Sequence, residues 1–161
     1  MDILAARSAR SGRRVAMNVT NEIVIAASPA RIFQRASATA QWPQILPHYR
    51  WVRVIASDEA RSIVEMAARR PFGSSAFGIP VRWRAEQIND ASLPEIFFRH
   101  LGGWTKGMRV HWRFTPLEDG TTRVRIEHEL RSPLAPIISA FFIEPIASRT
   151  LARMKQLCEA P

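Results

Sequence analysis

The sequence has few of the residues that build disulfide frameworks, metal centres or membrane spans. Its single cysteine, Cys158, rules out an internal disulfide framework and favours a reducing, cytoplasmic setting. No uninterrupted apolar run is long enough to cross a bilayer, so we predict no transmembrane segment. The chain also lacks a Gly-rich phosphate loop, a nucleophile elbow and a carboxylate pair, and its four histidines are not spaced as metal ligands. We therefore expect neither a metal site nor a cofactor.

Acidic residues are scarce beside basic ones: 14 Asp and Glu accompany 23 Lys and Arg, which gives a net charge of +9. Such an excess invites a nucleic-acid partner, but most arginines alternate singly with apolar residues or sit beside acids. That arrangement spreads charge over a solvated face and forms no basic stripe, so we expect no specific nucleic-acid binding. With 161 residues, the chain is long enough for one domain with a sizeable core.

The first 16 residues differ in composition from the rest of the chain. Four arginines and several small residues accompany one acid, Asp2, and the apolar core of a secretory signal is missing. An Arg- and Ser-rich composition suits a transit peptide, whereas an upstream start codon would make Met17 the functional start. We favour the second interpretation. In both cases residues 1–16 are predicted to be a mobile basic extension, because they lack apolar anchors, and residues 17–161 a single domain.

The clearest structural pattern lies between residues 108 and 130. Apolar residues occupy every second position on both sides of an Asp119-Gly120 turn, which predicts a β-hairpin with one buried and one wet face. The inward positions are Met108, Val110, Trp112, Phe114, Val124, Ile126, His128 and Leu130. A sheet face that carries a large aromatic ring and one isolated polar group, His128, is suited to lining a ligand cavity.

The remaining pattern predicts an α+β domain. A strand (residues 18–27) precedes two short helices, the first capped by Ser28 with Pro29 at its first position and ending near residue 38, the second over residues 42–47. Further strands are predicted at residues 49–57, 61–69, 79–88 and 95–101, with a loop at 71–78. The one long helical pattern runs from Pro133 to Glu159, with a kink at Pro145. Because an antiparallel sheet must cover its apolar face, we expect this helix to cover it and leave a pocket between.

Several segments together resemble a known superfamily. They are residues 23–33 (IVIAASPARIF), the Trp42-Pro43 turn, residues 107–114 (GMRVHWRF), residues 120–124 (GTTRV) and the end of the last helix, residues 151–157. From Met17 to the C-terminus, the chain resembles the START/Bet v 1-like superfamily (SRPBCC), in its polyketide cyclase/dehydrase and coenzyme-Q-binding branch. The resemblance implies a helix-grip fold, in which a curved antiparallel sheet wraps around a long C-terminal helix. It does not imply one function, because this superfamily hosts enzymes, lipid carriers and ligand sensors.

The resemblance to aromatase/cyclases also suggests pocket residues. Trp42 and Tyr49 match a tryptophan and a tyrosine at the pocket rim, and Trp83 and Trp112 match pocket tryptophans on two strands. In these enzymes a serine and an arginine follow the position of Trp83 by two and four residues. Here the corresponding residues are Ala85 and Gln87. Gln87 can donate a hydrogen bond, but it cannot supply the charge with which an arginine would polarise a polyketide oxygen.

The predicted site combines ligand-binding and proton-transfer residues. The predicted ligand-binding residues are Trp42, Met66, Trp83, Gln87, Met108, Trp112 and Phe142. Tyr49 and His128 are the candidate catalytic residues, although a lone inward histidine is more often a satisfied core group, and the tryptophans could equally be core. Arg99 is a candidate charged pocket group if its strand presents it inward. His48 and His111 are expected to be exposed.

Two classes of function follow. An enzyme of the aromatase/cyclase kind would confine a poly-β-ketone, with Tyr49 and His128 shuttling protons. A non-catalytic lipid or quinone binding and transfer protein would need only aromatic walls and one or two hydrogen bonds. The Trp-Pro and Tyr rim favours the first class, and the missing arginine favours the second. The predicted partner is a hydrophobic small molecule (a polyketide, quinone or lipid), and a homodimer is a further hypothesis.

Overall fold

A single antiparallel sheet organises the molecule. The computed structural model describes residues 16–71 and 78–160, so residues 1–15 of the predicted extension and residues 72–77 of the predicted loop lie outside the described residues. Within the described part, seven strands follow the order β1-β7-β6-β5-β4-β3-β2. They are β1 (Ala16–Ile25), β2 (Tyr49–Ser57), β3 (Arg61–Pro71), β4 (Gly78–Asp90), β5 (Glu95–His100), β6 (Arg109–Pro116) and β7 (Thr122–Arg131).

The helices lie in two groups, one after the first strand and one at the C-terminal end. The first group contains α1 (Pro29–Ser37), a 3₁₀ turn (Thr39–Gln41) and α2 (Trp42–Ile45). The second contains α3 (Ala135–Ile138), a π-helical turn (Ser139–Ile143) and α4 (Glu144–Glu159). Helix α1 begins as predicted: Pro29 occupies its first turn and the Ser28 hydroxyl accepts a hydrogen bond from the Arg31 amide at 3.3 Å.

Alternation along the strands assigns one face of the sheet to the core. On β6 and β7 the inward residues are buried at every second position, as predicted, and Gly120 turns the chain with a φ of 80°. Strand β5 turns Ile96, Phe98 and His100 inward. Arg99 therefore points outward, where its guanidinium pairs with Glu86 at 2.9 Å, and the expectation of a charged pocket group at this position is wrong.

Helix α4 covers the inward face. Its buried residues recur at helical spacing: Ala147, Thr150, Leu151, Met154 and Cys158. At one sheet edge, the Lys155 ammonium donates to the Val24 carbonyl at 2.7 Å. Toward the other edge, the Arg153 guanidinium donates to the Ile45 carbonyl at 3.1 Å. The helix thus connects both sides of a curved sheet, and the predicted helix-grip fold is confirmed.

The C-terminal helical segment changes its winding before Pro145. The predicted helix starts at Ala135, two residues later than expected, and residues 139–143 form a π-helical turn in which the Glu144 amide bonds to the Ser139 carbonyl. Proline lacks an amide hydrogen and clashes with the carbonyl four residues earlier, so an ordinary α-turn cannot continue through it. The predicted disturbance at Pro145 therefore takes the form of one wider turn.

Strand β1 is also longer at its start than predicted. It begins at Ala16, which pairs with Arg131 at the end of β7, and not at Asn18. Strand β7 pairs with β1 along its whole length, from Ala16 to Ile25. The β-propensity of the β1 residues alone does not reveal how far this pairing extends. Among the described helices, none combines the length and apolar character needed to cross a membrane.

Candidate ligand-binding cavity

A mostly apolar cavity lies between the inward sheet face and the C-terminal helices. The volume open to the centre of a water-sized sphere is about 80 Å³, and the wider space between the walls, which includes open solvent, is about 640 Å³. The predicted ligand-binding residues that line it are Trp42, Met66, Trp83, Met108, Trp112 and Phe142. Tyr49 and His128 line it as well. The structure therefore brings eight of the nine predicted site residues to one space.

Gln87 is the predicted ligand-binding residue that lies outside this lining. Its side chain is buried, and its carbonyl oxygen accepts a hydrogen bond from the Thr39 hydroxyl at 2.8 Å. Its amide group donates to the Ser37 carbonyl at 2.8 Å and to Asn89 at 2.9 Å. Although Gln87 faces inward as predicted, this part of β4 passes beneath the end of α1. Gln87 therefore holds the end of α1 against the sheet through hydrogen bonds. It does not line the cavity, contrary to its prediction as a ligand-binding residue.

Aromatic rings form a connected wall around Trp42. The centroid of its ring lies 4.9 Å from that of Tyr49, 5.9 Å from that of Trp112 and 6.1 Å from that of Phe98. The Tyr49 ring in turn lies 6.1 Å from Trp83. Such tilted and edge-on arrangements are favourable for aromatic pairs. The short helix α2 begins at Trp42 and ends shortly before β2. It thereby places the Trp42 ring against Phe98 on β5 and Trp112 on β6.

The first polar group of the cavity is centred on Thr150. Its hydroxyl donates to the Ile146 carbonyl at 2.8 Å, which uses its only proton. The Nε2 of His48 lies 2.8 Å from the same hydroxyl, and Tyr49 and Thr150 both line the cavity. His48 must therefore donate to Thr150, so it carries its proton on Nε2.

Burial keeps these two groups neutral near pH 7. It raises the pKa of Tyr49 well above its ordinary value. It also lowers the pKa of His48 to about 4, with a smaller contribution from the charge of Arg149. His48 was expected to be exposed, and that expectation is wrong, because the chain turns beneath α4 directly before β2 begins.

A second polar group lies on β5 and β7. The Nδ1 of His100 lies 2.7 Å from the Thr105 hydroxyl, and both residues line the cavity with His128. Burial, with a smaller contribution from repulsion by His128, lowers the pKa of His100 to about 3. Burial also lowers the pKa of His128 to about 4. All three histidines beside the cavity are therefore uncharged near neutral pH.

Two buried polar atoms on cavity-lining side chains have no hydrogen-bond partner among the described residues. They are the Nε1 of Trp42 and the Nδ1 of His128. Trp42 is 2% exposed and His128 is 9% exposed, so neither atom is satisfied by bulk solvent. Buried polar groups of folded proteins nearly always have partners, supplied by protein, water or ligand.

Sequence reasoning missed His48, His100, Thr105 and Thr150. The facing of His100 could not be assigned because Ile96, Phe97 and Phe98 form an unbroken apolar run that hides the alternation. Thr150 could have been found, since it falls on the stripe formed by Ala147, Leu151 and Met154. His111 lies on the outer sheet face with its side chain only 18% exposed, and its Nε2 is 3.1 Å from Glu95.

Charged and metal-binding groups are few around this site. Within residues 16–71 and 78–160, no three His, Cys, Asp or Glu side chains are grouped as metal ligands would be. The acids and bases of the sheet pair mainly on its outer face, where Glu65 contacts Arg82 at 2.6 Å and Glu86 contacts Arg61 at 3.3 Å. The alternation of arginines along the strands thus reflects ion pairs on the solvated side.

A curved antiparallel sheet closed by a long helix over an apolar cavity defines a helix-grip protein of the START/Bet v 1-like superfamily. The chain belongs to the family described as polyketide cyclase / dehydrase and lipid transport, whose model matches residues 25–155. The resemblance proposed from the sequence is confirmed. No curated protein sequence matches the chain.

Solved structures share this fold over nearly their whole length. The Zhui aromatase/cyclase from Streptomyces sp. R1128 has a TM-score of 0.76 and 15% identity, over 90% of this chain and 94% of its own. A START superfamily protein from Mycobacterium smegmatis has a TM-score of 0.67 and 16% identity, over 87% and 98%. The major latex-like protein 151 of Panax ginseng has a TM-score of 0.72 and 10% identity, over 90% and 99%. At these identities the likeness shows the fold alone.

Proposed function

We propose that the chain binds an apolar small molecule bearing carbonyl or hydroxyl oxygens in the cavity between sheet and helix. The observation that carries this proposal is the pair of unsatisfied atoms, Trp42 Nε1 and His128 Nδ1, in an otherwise apolar wall. The indole nitrogen only donates hydrogen bonds, so it requires an acceptor oxygen on the ligand. A pure hydrocarbon would leave both atoms unpaired in a buried site, at a cost of about 1–3 kcal/mol for each.

Family membership and the aromatase/cyclase among the structural neighbours support a polyketide as the ligand and cyclisation with dehydration as the activity. Aromatic walls would hold a flexible poly-β-ketone in one folded form, so that orientation supplies much of the rate. The neutral His128 could accept a proton from a carbon between two carbonyl groups. The electron pair would move to a carbonyl oxygen that accepts a hydrogen bond from Trp42, which gives an enolate. The enolate carbon would then attack a second carbonyl carbon, whose oxygen takes the proton back from His128 and becomes a hydroxyl. For the dehydration, His128 would remove the remaining proton from the same carbon and pass it to the departing hydroxyl, which leaves as water. Tyr49, which lines the cavity and stays neutral, would orient the ligand through a hydrogen bond of its hydroxyl.

A non-catalytic carrier of a quinone or lipid is the second candidate. The observation that favours it is the lining itself: within the described part of the chain, the cavity wall contains no acidic or basic side chain other than neutral histidines. Gln87, which stands where aromatase/cyclases carry an arginine, is fully used in holding α1. Binding and release of an apolar ligand require none of these charges.

The test compares the wild-type protein with His128→Gln and with the outer-face control His111→Gln. Ligand affinity is followed by quenching of tryptophan fluorescence, and turnover by the absorbance of the aromatic product, with a poly-β-ketone mimic and a quinone as probes. For a cyclase, we expect His128→Gln to lower kcat about 100-fold or more, with little change in Kd, while His111→Gln behaves as wild type. A carrier would bind the quinone without turning over either probe. If neither probe binds to the folded wild-type protein, the proposal is wrong.

A further inference from the structure

A cluster of exposed apolar side chains, called here the mouth patch, lies on two elements at the C-terminal end of β5. It consists of Trp104, Leu134, Ile137 and Phe141. Trp104 is 76% exposed on the β5–β6 loop, and the other three are 49–56% exposed. Leu134, Ile137 and Phe141 are spaced by three and four residues, so they share one side of the α3 and π-helical segment. Large apolar surfaces of this kind usually mark interaction sites.

The mouth patch adjoins the opening of the cavity. The lining residues that are only partly buried are Val81, Trp83, Phe142 and Ile146, and they mark where the cavity meets solvent. Phe142 follows Phe141 directly, and its ring centroid lies 5.9 Å from that of Trp104 in an edge-on contact. Thr105, the neighbour of Trp104, lines the cavity from the other side. A molecule that covers the patch therefore meets the cavity opening.

Charge around the mouth patch is sparse and mainly positive. Residues 132–143 contain no charged side chain. Lys106 is exposed on the same loop as Trp104. Arg131, 73% exposed and 3.5 Å from the Glu129 carboxylate, directly precedes the uncharged stretch. The nearest acid in sequence, Glu144, is engaged by the Ser139 hydroxyl at 3.1 Å. Together with the net charge of +9, this arrangement complements an anionic surface.

We propose that the mouth patch docks this protein onto the surface of an anionic lipid membrane. Trp104 has the ring type that prefers the headgroup region, and the aliphatic side chains of Leu134 and Ile137 would enter the boundary with the acyl chains. Lys106 and Arg131 would lie at the level of the lipid phosphates. A second copy of the chain bound to the mouth patch would block the cavity opening. A membrane bound there would instead place the opening next to lipids and other apolar molecules dissolved in the bilayer, so we favour the membrane. Docking stands on the surface alone, and only the role in ligand loading rests on the proposed function.

The experiment measures co-sedimentation of the full chain with vesicles of phosphatidylcholine alone and with equimolar phosphatidylglycerol. We expect binding to the anionic vesicles, weakened by salt, and about tenfold or greater weakening in Ile137→Glu and in Trp104→Ala. The matched control is Leu93→Glu, because Leu93 is 65% exposed in the turn at the opposite end of β5. This variant makes the same charge change on an equally exposed apolar residue, and it should bind vesicles as the wild type does.

Three results would overturn the proposal. The first is a wild-type protein that binds neither vesicle, and the second is equal weakening by Leu93→Glu and Ile137→Glu. The third is a wild-type dimer in sedimentation velocity that Ile137→Glu converts to a monomer, which would assign the patch to a second copy. Quinone and poly-β-ketone binding in solution is measured on the same variants. Retained ligand binding in Ile137→Glu separates a failure of docking from a failure of the proposed function.

Discussion

Acidification should destabilise this protein through the histidines around the cavity, and His128 allows the effect to be isolated. Its pKa falls from the ordinary value of 6.5 to about 4 in the folded protein because burial disfavours the charged ring. The unfolded chain therefore binds a proton more readily than the folded one. Stability that is present at neutral pH is lost as the pH falls through 6.5, and the loss continues until about pH 4.

The size of the effect follows from these two pKa values. Between about pH 7 and about pH 5.5, one such histidine lowers the free energy of unfolding by about 1.2 kcal/mol. His48 and His100, with pKa values of about 4 and about 3, act in the same direction, so the three together contribute about 3–4 kcal/mol. Carboxylates scarcely interfere, because at about pH 5.5 they are ionised in both the folded and the unfolded chain.

The assay is urea denaturation of the wild type, His128→Gln and His111→Gln at both pH values. We expect His128→Gln to lose about 1 kcal/mol less than the wild type on acidification, whatever its stability at neutral pH. His111→Gln is the control variant, since His111 lies beside Glu95 and Glu127 on the outer side of the sheet, away from the cavity. Equal losses in the wild type and His128→Gln would refute the reasoning, because they would mean that His128 is hydrated or paired in the folded state.

Three further predictions concern stability and can be measured by the same denaturation. Trp112→Ala should cost about 3–5 kcal/mol, because the ring is 4% exposed and packs against Trp42; a much smaller loss would mean that the ring faces open space. Thr150→Val should cost about 1–3 kcal/mol, because it leaves the Nε2 donor of His48 without an acceptor; an unchanged stability would contradict the hydrogen-bond assignment. Gly120→Ala should cost about 1–2 kcal/mol through its φ of 80° alone, since nothing lies within 4 Å of the added methyl group; a stabilising effect would show that this turn relaxes.

The fold was predictable because period-two alternation and helix capping are local signals. The strand Tyr49–Ser57 and the capped start of α1 are found where the pattern places them. The order of elements then leaves one long helix to cover the inward face. What the pattern does not contain is the pairing of distant residues, so the start of β1 was not foreseen. The kink predicted at Pro145 was local, but the pattern did not specify that it takes the form of a π-helical turn.

The candidate site was predictable in composition and less so in detail. Alternation tells which side chains point inward, but it does not tell what covers each part of the sheet. Trp83 and Gln87 share one face of β4, yet Trp83 lines the cavity, whereas Gln87 lies under the end of α1. His48 precedes its strand, where no alternation applies, so its burial depends on the path of α4. These features arise from long-range packing, which a local pattern cannot encode.

The pairing of β1 with β7 has a consequence for synthesis on the ribosome. Strand β1 emerges before the other described strands, but Ala16 pairs with Arg131 and Ile25 with Thr122, so its partner in the described sheet, β7, is made after all the others. The carbonyl of Val24 gains its hydrogen bond from Lys155 only after α4 has been synthesised. Until then Ile23 and Ile25 remain uncovered on an unpaired strand, which is the situation in which nascent chains aggregate or engage chaperones. Resistance of the nascent N-terminal segment to proteases should therefore arise abruptly near the end of translation, when β7 and α4 close the sheet around it.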